Sequence, residues 1–533
     1  MKALSISPYH LFEVRGDRFV YDIQSGIAIQ IDPPAFDALV QRQEGIADEV
    51  IASRSKDSYG AETARSVLGE LRGLASRGLF CGPVTIRDEA ETEELIQDLC
   101  QSSVGNITLS ISEACNLRCR YCYIGTNGAL ENGFMDQEVA RQAVDYAFSR
   151  VWPGETVSMC LFGGEPLLNK HVFRFILRYG TEAAAAQGKK IHYSVTTNAT
   201  LLDDDLLADV NQFGVGVMVS IDGPREVQDQ NRPRANGQGS FDLTMAGVRK
   251  LQDLGRQVNA RCTLSNQCLD RSTIVQALED FGFGHIAVTP SWGKSYSRWP
   301  YDLGPEESAV LDAQDDGLIA RLFEQLRTGE LVRYDPFARA VQAIHARTMP
   351  RAPCGVGRGS LTAGIDGKLY PCHRYVGMEN FVIGDVWRGV DREALANYYR
   401  SYYGTRKKCE TCWGVRICKR ICPWYVSHED GMAVPPPDWY CTAILHWYEL
   451  GMWVYNRLKT EQPAYLEHLV GQKRGKGQTT GGKKPVQRNT EGVGKQAAGD
   501  PAQADPQKTT RKSAQQACGY PPDGGGGFAT STN

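Results

Sequence analysis

The sequence has no apolar run long enough to cross a membrane, and its first residues lack the long apolar core of a secretory signal. It also lacks an excess of either charge, because 59 Lys and Arg are balanced by 62 Asp and Glu. Composition therefore gives no electrostatic case for binding nucleic acid or a membrane surface. These absences predict a cytoplasmic protein, and 533 residues are enough for about two to four domains.

Disulfides are not expected either, because cytosolic thiols stay reduced. Most of the 16 cysteines instead fall into two groups whose spacing is typical of metal ligands, one near residue 120 and one between residues 354 and 441. The scattered cysteines are more typical of buried core positions; they are Cys81, Cys100, Cys160, Cys262 and Cys268.

The first group comprises Cys115, Cys119 and Cys122, directly after an alternating apolar run at 107–111 that is typical of a buried strand. A loop after a strand can bring three thiolates onto one face of a [4Fe–4S] cluster, which takes four ligands. No fourth cysteine lies nearby, so one iron would remain open for a small molecule. The alternatives are zinc, which prefers a fourth protein ligand, and three incidental buried thiols.

This cysteine pattern resembles that of the radical S-adenosylmethionine (SAM) enzymes, and the resemblance extends to about residue 330. Apolar strands alternate with helical stretches over the same region, which predicts an α/β fold with a partial (β/α)6 TIM-like barrel at 100–335. The strands are expected to begin near Ile107, Val157, Ile191, Val215, Val258 and His285. Ligand groups lie at the carboxyl ends of the strands in such barrels.

The resemblance implies a SAM site built from residues beside the cysteines and at strand ends: Tyr121, Gly163, Gly164, Glu165, Asn198, Ser220, Asp222 and Arg232. Glu165, in a Gly-Gly-Glu-Pro motif, would hold the methionine amino group, and Tyr121 would lie beside the adenine. Arg232 would lie near the SAM carboxylate, although a surface salt bridge is its alternative. The polar residues at strand ends could instead cap helices or form turns.

The second group resembles the SPASM domain, which extends many radical SAM peptide maturases and carries two auxiliary [4Fe–4S] clusters. We place this domain at 345–450. The resemblance implies that one cluster is fully ligated, and its ligands would be Cys409, Cys412, Cys418 and Cys441. The other would be held by Cys354, Cys372 and Cys422, with an open iron able to bind a substrate thiolate. Zinc ribbons are the alternative.

Residues 1–90 are predicted to form a small module of three strands followed by helices. It resembles the winged-helix-like domain that captures the leader of a ribosomal peptide, where the leader adds a strand to a sheet edge. An inert cap on the barrel is the alternative. At the other end, residues 471–533 are poor in large apolar side chains, which predicts a disordered tail with no role for Cys518.

The residue after Cys372 distinguishes subfamilies. It is aspartate in anaerobic sulfatase maturases, where it accepts the substrate proton, and His373 here, which argues against sulfatase maturation. The string at 370–377 resembles maturases that join a cysteine sulfur to a side-chain carbon, including those of six-cysteine peptides. The Cys-Pro-Trp-Tyr sequence at 422–425 favours likeness to the quinohemoprotein amine dehydrogenase maturation protein. His373 itself could be catalytic or a structural hydrogen-bonding group.

These resemblances imply three [4Fe–4S] clusters, SAM, a peptide or small-protein substrate with a leader, and an electron donor such as flavodoxin or ferredoxin. The expected reaction is reductive SAM cleavage followed by formation of a Cys-to-carbon thioether. Another radical SAM peptide modification, such as carbon–carbon crosslinking, epimerisation or dehydrogenation, is the first alternative. A non-catalytic iron–sulfur or zinc scaffold is the second.

Overall fold

The computed structural model describes residues 1–101, 105–126, 133–152, 154–293, 300–349, 354–357, 359–418, 422–427 and 430–471. The predicted disordered tail, with Cys518, lies from residue 472 onward outside these residues. Within the described ranges, no helix is long and apolar enough to span a bilayer.

The N-terminal region contains a three-stranded antiparallel sheet of order β2-β3-β4, covered on one face by helices. Its elements are β1 (Lys2–Leu4), β2 (Tyr9–Val14), β3 (Asp17–Asp22), β4 (Ile27–Ile31), α1 (Pro33–Gln43), α2 (Asp48–Tyr59), α3 (Ala61–Ser76), β5 (Val84–Ile86) and α4 (Glu89–Gln101). Val20 on β3 and Leu39 on α1 are fully buried in the core between the sheet and the helices. The expected strands-then-helices pattern is therefore present.

The central region alternates strands and helices, as the sequence predicts. Its elements are β6 (Asn106–Ser112), α5 (Tyr123–Thr126), α6 (Gln137–Ser149), β7 (Thr156–Gly163), α7 (Lys170–Ala186), β8 (Lys190–Thr197), α8 (Asp204–Gln212), β9 (Gly216–Ser220), α9 (Arg225–Asn231), α10 (Phe241–Asp253), β10 (Val258–Leu264), α11 (Arg271–Asp280), β11 (His285–Pro290), α12 (Pro305–Arg327) and α13 (Asp335–Ala346). Strands β6 to β11 pair in parallel with their sequence neighbours. The predicted α/β class and six parallel strands are confirmed.

Strands β7 to β10 alternate between buried and partly buried residues, whereas parallel strands covered on both faces are normally apolar throughout. On β10, Ala260 and Cys262 are fully buried, whereas Arg261 and Thr263 are only half-buried and line an internal cavity. Successive side chains of a strand point to opposite faces. One face of this sheet therefore carries the core, and the other surrounds open space.

The C-terminal region contributes β12 (Ser360–Ala363), β13 (Leu369–Tyr370), β14 (Gly384–Asp385), β15 (Gly389–Val390), α14 (Arg392–Gly404), α15 (Pro423–Val426), α16 (Asp438–Glu461) and α17 (Pro463–Gly471). Strand β12 pairs in parallel with β6, and β13 pairs antiparallel with β12. The sheet thus has eight strands, in the order β11-β10-β9-β8-β7-β6-β12-β13. The sequence pattern did not indicate that this region extends the barrel sheet.

Helix α16 packs against the N-terminal sheet. The face of β2 and β3 opposite helix α1 belongs to the same continuous core as α16, and Phe19 and Tyr21 are fully buried there. His10 stacks on Trp413 with ring centroids 4.0 Å apart and makes a 2.7 Å contact with Glu449 of α16. The N-terminal module is therefore packed against the cysteine-rich region.

Candidate functional site

The loop that carries Cys115, Cys119 and Cys122 begins where β6 ends and is held by backbone hydrogen bonds to the segment after α9. The N–H of Arg118 donates to the carbonyl of Pro233 at 2.7 Å, and that of Arg120 donates to Asn231 at 3.0 Å. These bonds fix the loop at the carboxyl end of the sheet, where the sequence places it.

The structure brings the three thiols of this loop together. Burial raises the pKa of Cys115 to about 12 and raises that of Cys119 too, and the thiols of Cys122 and Cys115 raise the latter further. A bound metal centre reverses this effect, because a coordinating thiol is deprotonated outright. Three neighbouring thiols at the wall of a cavity fit a cluster with one open corner.

Gly163 and Gly164, at the end of β7, pack directly against the start of the cysteine loop. A Cβ on Gly163 would lie 2.0 Å from the carbonyl oxygen of Ser112, and one on Gly164 would lie 2.5 Å from that of Ala114. Gly163 also has φ +139°, which favours glycine. The motif therefore lets the backbone of β7 approach the loop, and both glycines line the cavity.

Glu165 lies behind this contact and is fully buried. Its carboxylate accepts hydrogen bonds from the Leu167 N–H at 3.0 Å, the Thr197 hydroxyl at 2.7 Å and the Asn198 N–H at 2.7 Å. Burial raises the pKa of Glu165 to about 7, against the effect of these bonds. In this structure the carboxylate joins the ends of β7 and β8, and the Asn198 side chain donates to Asn116 of the cysteine loop at 2.8 Å.

Asp222, Arg232 and Tyr121 form a buried polar network beside Cys119. Asp222 is fully buried, and its carboxylate accepts hydrogen bonds from Arg232 at 3.0 Å and from the Tyr121 hydroxyl. The guanidinium lies 5.4 Å from the centre of the Tyr121 ring, and its Nη1 lies 3.9 Å from the Cys119 Sγ. Burial lowers the pKa of Arg232, but Asp222, Tyr121 and Cys119 together outweigh it and raise the pKa overall. Arg232 is therefore in a buried ion pair rather than a surface one.

A cavity of about 520 Å³ adjoins these groups inside the barrel. Its wall includes Cys115, Cys119, Cys122, Tyr121, Gly163, Gly164, Ser220 and Arg232. Glu165, Asn198 and Asp222 lie behind this wall instead. Its size falls within the roughly 300–1,000 Å³ of small-molecule sites.

Cys372 and Cys422 do not line this cavity, but residues that follow them in the chain, His373 and Trp424, do. The Cys422 thiol adds to the burial that raises the pKa of Cys372 to about 11, so the two thiols are neighbours. The thiols of Cys354 and Cys372 both raise the pKa of the Tyr398 hydroxyl. Cys354, the third predicted ligand, is therefore near Tyr398, as Cys372 is. The three cysteines therefore lie in one region of the structure, and their role as ligands of one cluster stays a prediction.

His373 lines the cavity beside this second set, with its Nδ1 3.7 Å from the Cys372 Sγ. Its ring lies 4.6 Å from that of Phe162. Burial, with the charges of Arg374 and Arg261, lowers the pKa of His373 to about 3. The imidazole is therefore neutral in this environment.

Two arginines of the cavity were not among the predicted site residues. Arg374 is packed between aromatic rings, 5.4 Å from the centre of Tyr123 and 5.3 Å from that of Tyr425. Arg261 lines the same cavity from β10, and burial with the charge of Arg374 lowers its pKa. A charged residue within an otherwise uncharged strand is the sequence signal that could have identified Arg261.

The four cysteines predicted to form a closed set are also together, near the start of α16. Burial raises the pKa of Cys412 to about 11, and the Cys418 and Cys409 thiols raise it further. Burial likewise raises the pKa of Cys441 to about 11, and the thiols of the other three cysteines raise it further. The Cys412 Sγ accepts a 3.3 Å hydrogen bond from the Gly414 N–H. Four neighbouring thiols fit a fully ligated cluster.

Among the described residues, no group of three or more His, Cys, Asp or Glu side chains is arranged to hold a single metal ion. A single zinc ion requires all of its ligand atoms within about 2.3 Å of the ion, whereas the ligands of a [4Fe–4S] cluster each bind a different iron and lie farther apart.

Comparison with known proteins adds to this geometry. Residues 109–266 match the family model of the radical SAM superfamily. The cysteine-type anaerobic sulfatase-maturating enzyme of Clostridium novyi (strain NT) is 25% identical over 334 residues, 58% of this chain and 85% of that enzyme. The serine-type enzyme of Bacteroides thetaiotaomicron is 24% identical over 373 residues, 64% of this chain and 87% of its own length.

A solved structure of native anSMEcpe with bound AdoMet has a TM-score of 0.57 at 19% identity and covers 67% of this chain and 99% of that one. A likeness at this identity concerns the fold. Residues 109–266 thus match the radical SAM superfamily, and the chain has the radical SAM α/β fold.

Proposed function

We propose that this chain is a radical SAM enzyme of the peptide-modifying type, which joins a cysteine sulfur to a side-chain carbon of a ribosomally made peptide or small protein. Maturation of quinohemoprotein amine dehydrogenase is the instance we favour. Similarity to anaerobic sulfatase-maturating enzymes, which are named for acting on a protein, supports a peptide or protein substrate.

The observation that carries the proposal is that one cavity is lined by Cys115, Cys119 and Cys122 and by His373, the residue that follows Cys372 of the second set. Cys122 and the neighbouring Tyr123 both line the cavity. The thiols of Cys122 and Cys372 both raise the pKa of the Tyr123 hydroxyl, so one cysteine of each set lies near this side chain. A substrate in this cavity would touch both sides at once. Such an arrangement suits a reaction in which one set starts the chemistry and the other receives the sulfur.

The residues of the first site fit a [4Fe–4S] cluster and SAM, which together supply a 5′-deoxyadenosyl radical when bound. Cys115, Cys119 and Cys122 would hold the cluster. Tyr121 and Arg232 present a planar ring and a guanidinium at the cavity wall, where an adenine or a carboxylate can be bound. The wall also excludes water and positions the substrate carbon.

Two features of the sequence, the first a departure from the sulfatase maturases, support a thioether product. The position after Cys372 carries His373, so the carboxylate that accepts the substrate proton in those enzymes is replaced by an imidazole. The second thiol set provides three sulfurs rather than four, which leaves room for a sulfur from the substrate. In a thioether the carbon and the thiol each lose one hydrogen, so the peptide loses two.

The N-terminal sheet supports capture of a leader segment. Strand β4 is an edge strand, and among the described residues no strand pairs with its outer side. An exposed edge presents unpaired N–H and C=O groups to which an extended peptide can add. Amides at 27–31 are therefore expected to gain protection from hydrogen exchange when a leader-bearing peptide binds, and a leaderless peptide should leave them unchanged.

The test of the proposed function is anaerobic reaction of the reconstituted enzyme with SAM, dithionite and a cysteine-bearing substrate. The expected product is lighter by two hydrogens and has lost a free thiol, which alkylation followed by tandem mass spectrometry measures. An unchanged thiol count with altered mass would support carbon–carbon crosslinking, dehydrogenation or another modification instead. Failure to form 5′-deoxyadenosine at all would favour a non-catalytic scaffold.

A further inference from the structure

A groove of about 840 Å³ lies on the outside of the chain, away from the barrel cavity. It runs between the N-terminal residues, the start of α4 and the segment after α14. Cys409, one of the four closed-set thiols, is among its lining residues and is half-buried. The edge of whatever group these four thiols hold is therefore close to solvent at this groove.

The groove is lined by charged side chains of both signs, namely Lys2, Arg87, Arg400, Arg406, Lys407, Asp88, Glu89, Glu93 and Glu410. Three of its four carboxylates are engaged in ion pairs within the chain. Glu93 pairs with Arg400 at 2.8 Å, Glu410 with Lys2 at 2.5 Å, and Asp88 with the N-terminal ammonium at 2.9 Å.

Two cations of the groove are left without such a partner. Arg406 and Lys407 form no ion pair with any described residue, and they precede Cys409 by three and two residues, with the paired Lys408 between. The remaining carboxylate, Glu89, is exposed on the opposite side at the start of α4. The groove next to the thiol therefore has uncompensated positive charge, whereas its negative charge is largely neutralised.

We infer that this groove docks an acidic one-electron carrier protein, which passes electrons to the group held by Cys409, Cys412, Cys418 and Cys441. Small redox interfaces bury little surface and depend on charge to steer the partners together. A cation pair beside a cofactor edge provides that steering for a negatively charged partner.

The inference rests on the proposed function, because it requires an iron–sulfur cluster at the four thiols. In the step itself one electron leaves the reduced carrier and enters that cluster, so the carrier is oxidised and the cluster reduced by one electron. No bond forms or breaks. Dithionite, a small reductant that needs no docking surface, bypasses the step and keeps the two proposals separable.

The experiment uses the reconstituted holoenzyme and a purified acidic flavodoxin as the probe. The double variant Arg406→Glu/Lys407→Glu reverses both charges, and Arg249→Glu/Lys250→Glu, exposed on α10, is the matched control. Biolayer interferometry measures flavodoxin affinity at low and high salt, and stopped-flow absorbance measures oxidation of the reduced flavodoxin. Zero-length carbodiimide crosslinking then maps which lysines contact flavodoxin carboxylates.

We expect the groove variant to bind flavodoxin about tenfold more weakly at low salt and to oxidise it correspondingly more slowly. The wild-type affinity should fall with salt, the control should match the wild type, and Lys407 should carry a crosslink. Unchanged affinity in the groove variant, equal loss in the control, or no saturable binding by the wild type would overturn the docking site. Loss of dithionite-driven product in the wild type would instead overturn the proposed function.

Discussion

The three-thiol set in the cysteine loop and the four-thiol set near α16 differ in both ligand number and surroundings. Cys115, Cys119 and Cys122 adjoin an internal cavity of about 520 Å³. The four-thiol set would supply a ligand to each iron of a cluster, and its Cys409 lines an outer groove. A cluster with an open iron can bind a small molecule only if that molecule can reach it through a cavity. A fully ligated cluster binds no substrate, and it needs only to be close enough to a partner to exchange electrons.

The two sets are also supported differently by the chain. The cysteine loop is supported by a buried network that includes Asp222 and Arg232, both less than a tenth exposed. The four-thiol set is held by a 3-10 turn and the first turn of α16, with Lys408 and Glu410 on its solvent side. Rigid surroundings suit a site that must control a reactive radical, whereas an outer set needs only a fixed distance to its partner.

The largest effect separating the two sets is expected from Cys115→Ala. Loss of one thiolate from a set that has only three removes the cluster, so about four irons per chain should be lost with it. Formation of 5′-deoxyadenosine, measured by liquid chromatography, should fall to background. Cys81→Ala, at an exposed cysteine outside both sets, is the control and should retain both iron and activity. Equal cleavage by Cys115→Ala would refute the assignment of the open cluster.

The complementary variant is Cys412→Ala. It damages the outer set while leaving the cavity intact, so dithionite-driven 5′-deoxyadenosine formation should be largely retained. The crosslinked product should be lost, because the substrate step depends on the auxiliary clusters. Product analysis by mass spectrometry alongside the cleavage assay measures the separation. A parallel loss of both activities would show that the two sets do not act separately.

A smaller effect is expected from Asp222→Asn, which leaves the buried Arg232 charge without its counter-charge. Breaking a buried pair in this way costs about 3–5 kcal/mol. Chemical denaturation measures the loss, and the EPR spectrum of the cluster with SAM should change because Arg232 also contacts Cys119. Asp242→Asn breaks the exposed pair with Arg225 and is the matched control, for which no measurable change is expected.

The smallest effect is expected from Gly164→Ala. The added Cβ would meet the Ala114 carbonyl oxygen at 2.5 Å, so the cysteine loop must shift. Such overpacking costs about 1–3 kcal/mol, and SAM affinity should weaken while iron at the outer set stays constant. Gly317→Ala, in the middle of α12 with open space around the Cβ, should be neutral or slightly stabilising. Unaltered SAM affinity in Gly164→Ala would show that the loop position is not critical.

Much of this architecture could be predicted because local patterns determine it. Alternation in the strands is local and was sufficient for the order of the barrel strands, whereas the division of the later cysteines into two sets came from the resemblance to the SPASM domain. The roles of individual polar residues depend on long-range packing. Glu165 thus lies behind the cavity wall, bonded to Thr197 and Asn198, a placement that the Gly-Gly-Glu-Pro motif alone does not reveal.

Long-range strand pairing was equally beyond the sequence. Strand β12 has only four residues and follows β6 by about 250 positions, so nothing local indicates that they pair. Arg374 was part of a motif noted for its cysteine and histidine, and its place between Tyr123 and Tyr425 follows only from the fold.

The pairing of β12 with β6 has a practical consequence for anyone dividing this protein. Four residues of the C-terminal region, beginning at Ser360, cover the outer edge of the strand that leads into the cysteine loop. Truncation near residue 335 would strip that cover and leave a row of backbone donors and acceptors facing solvent, a template for self-association. The catalytic half should therefore be purified only as part of the whole chain.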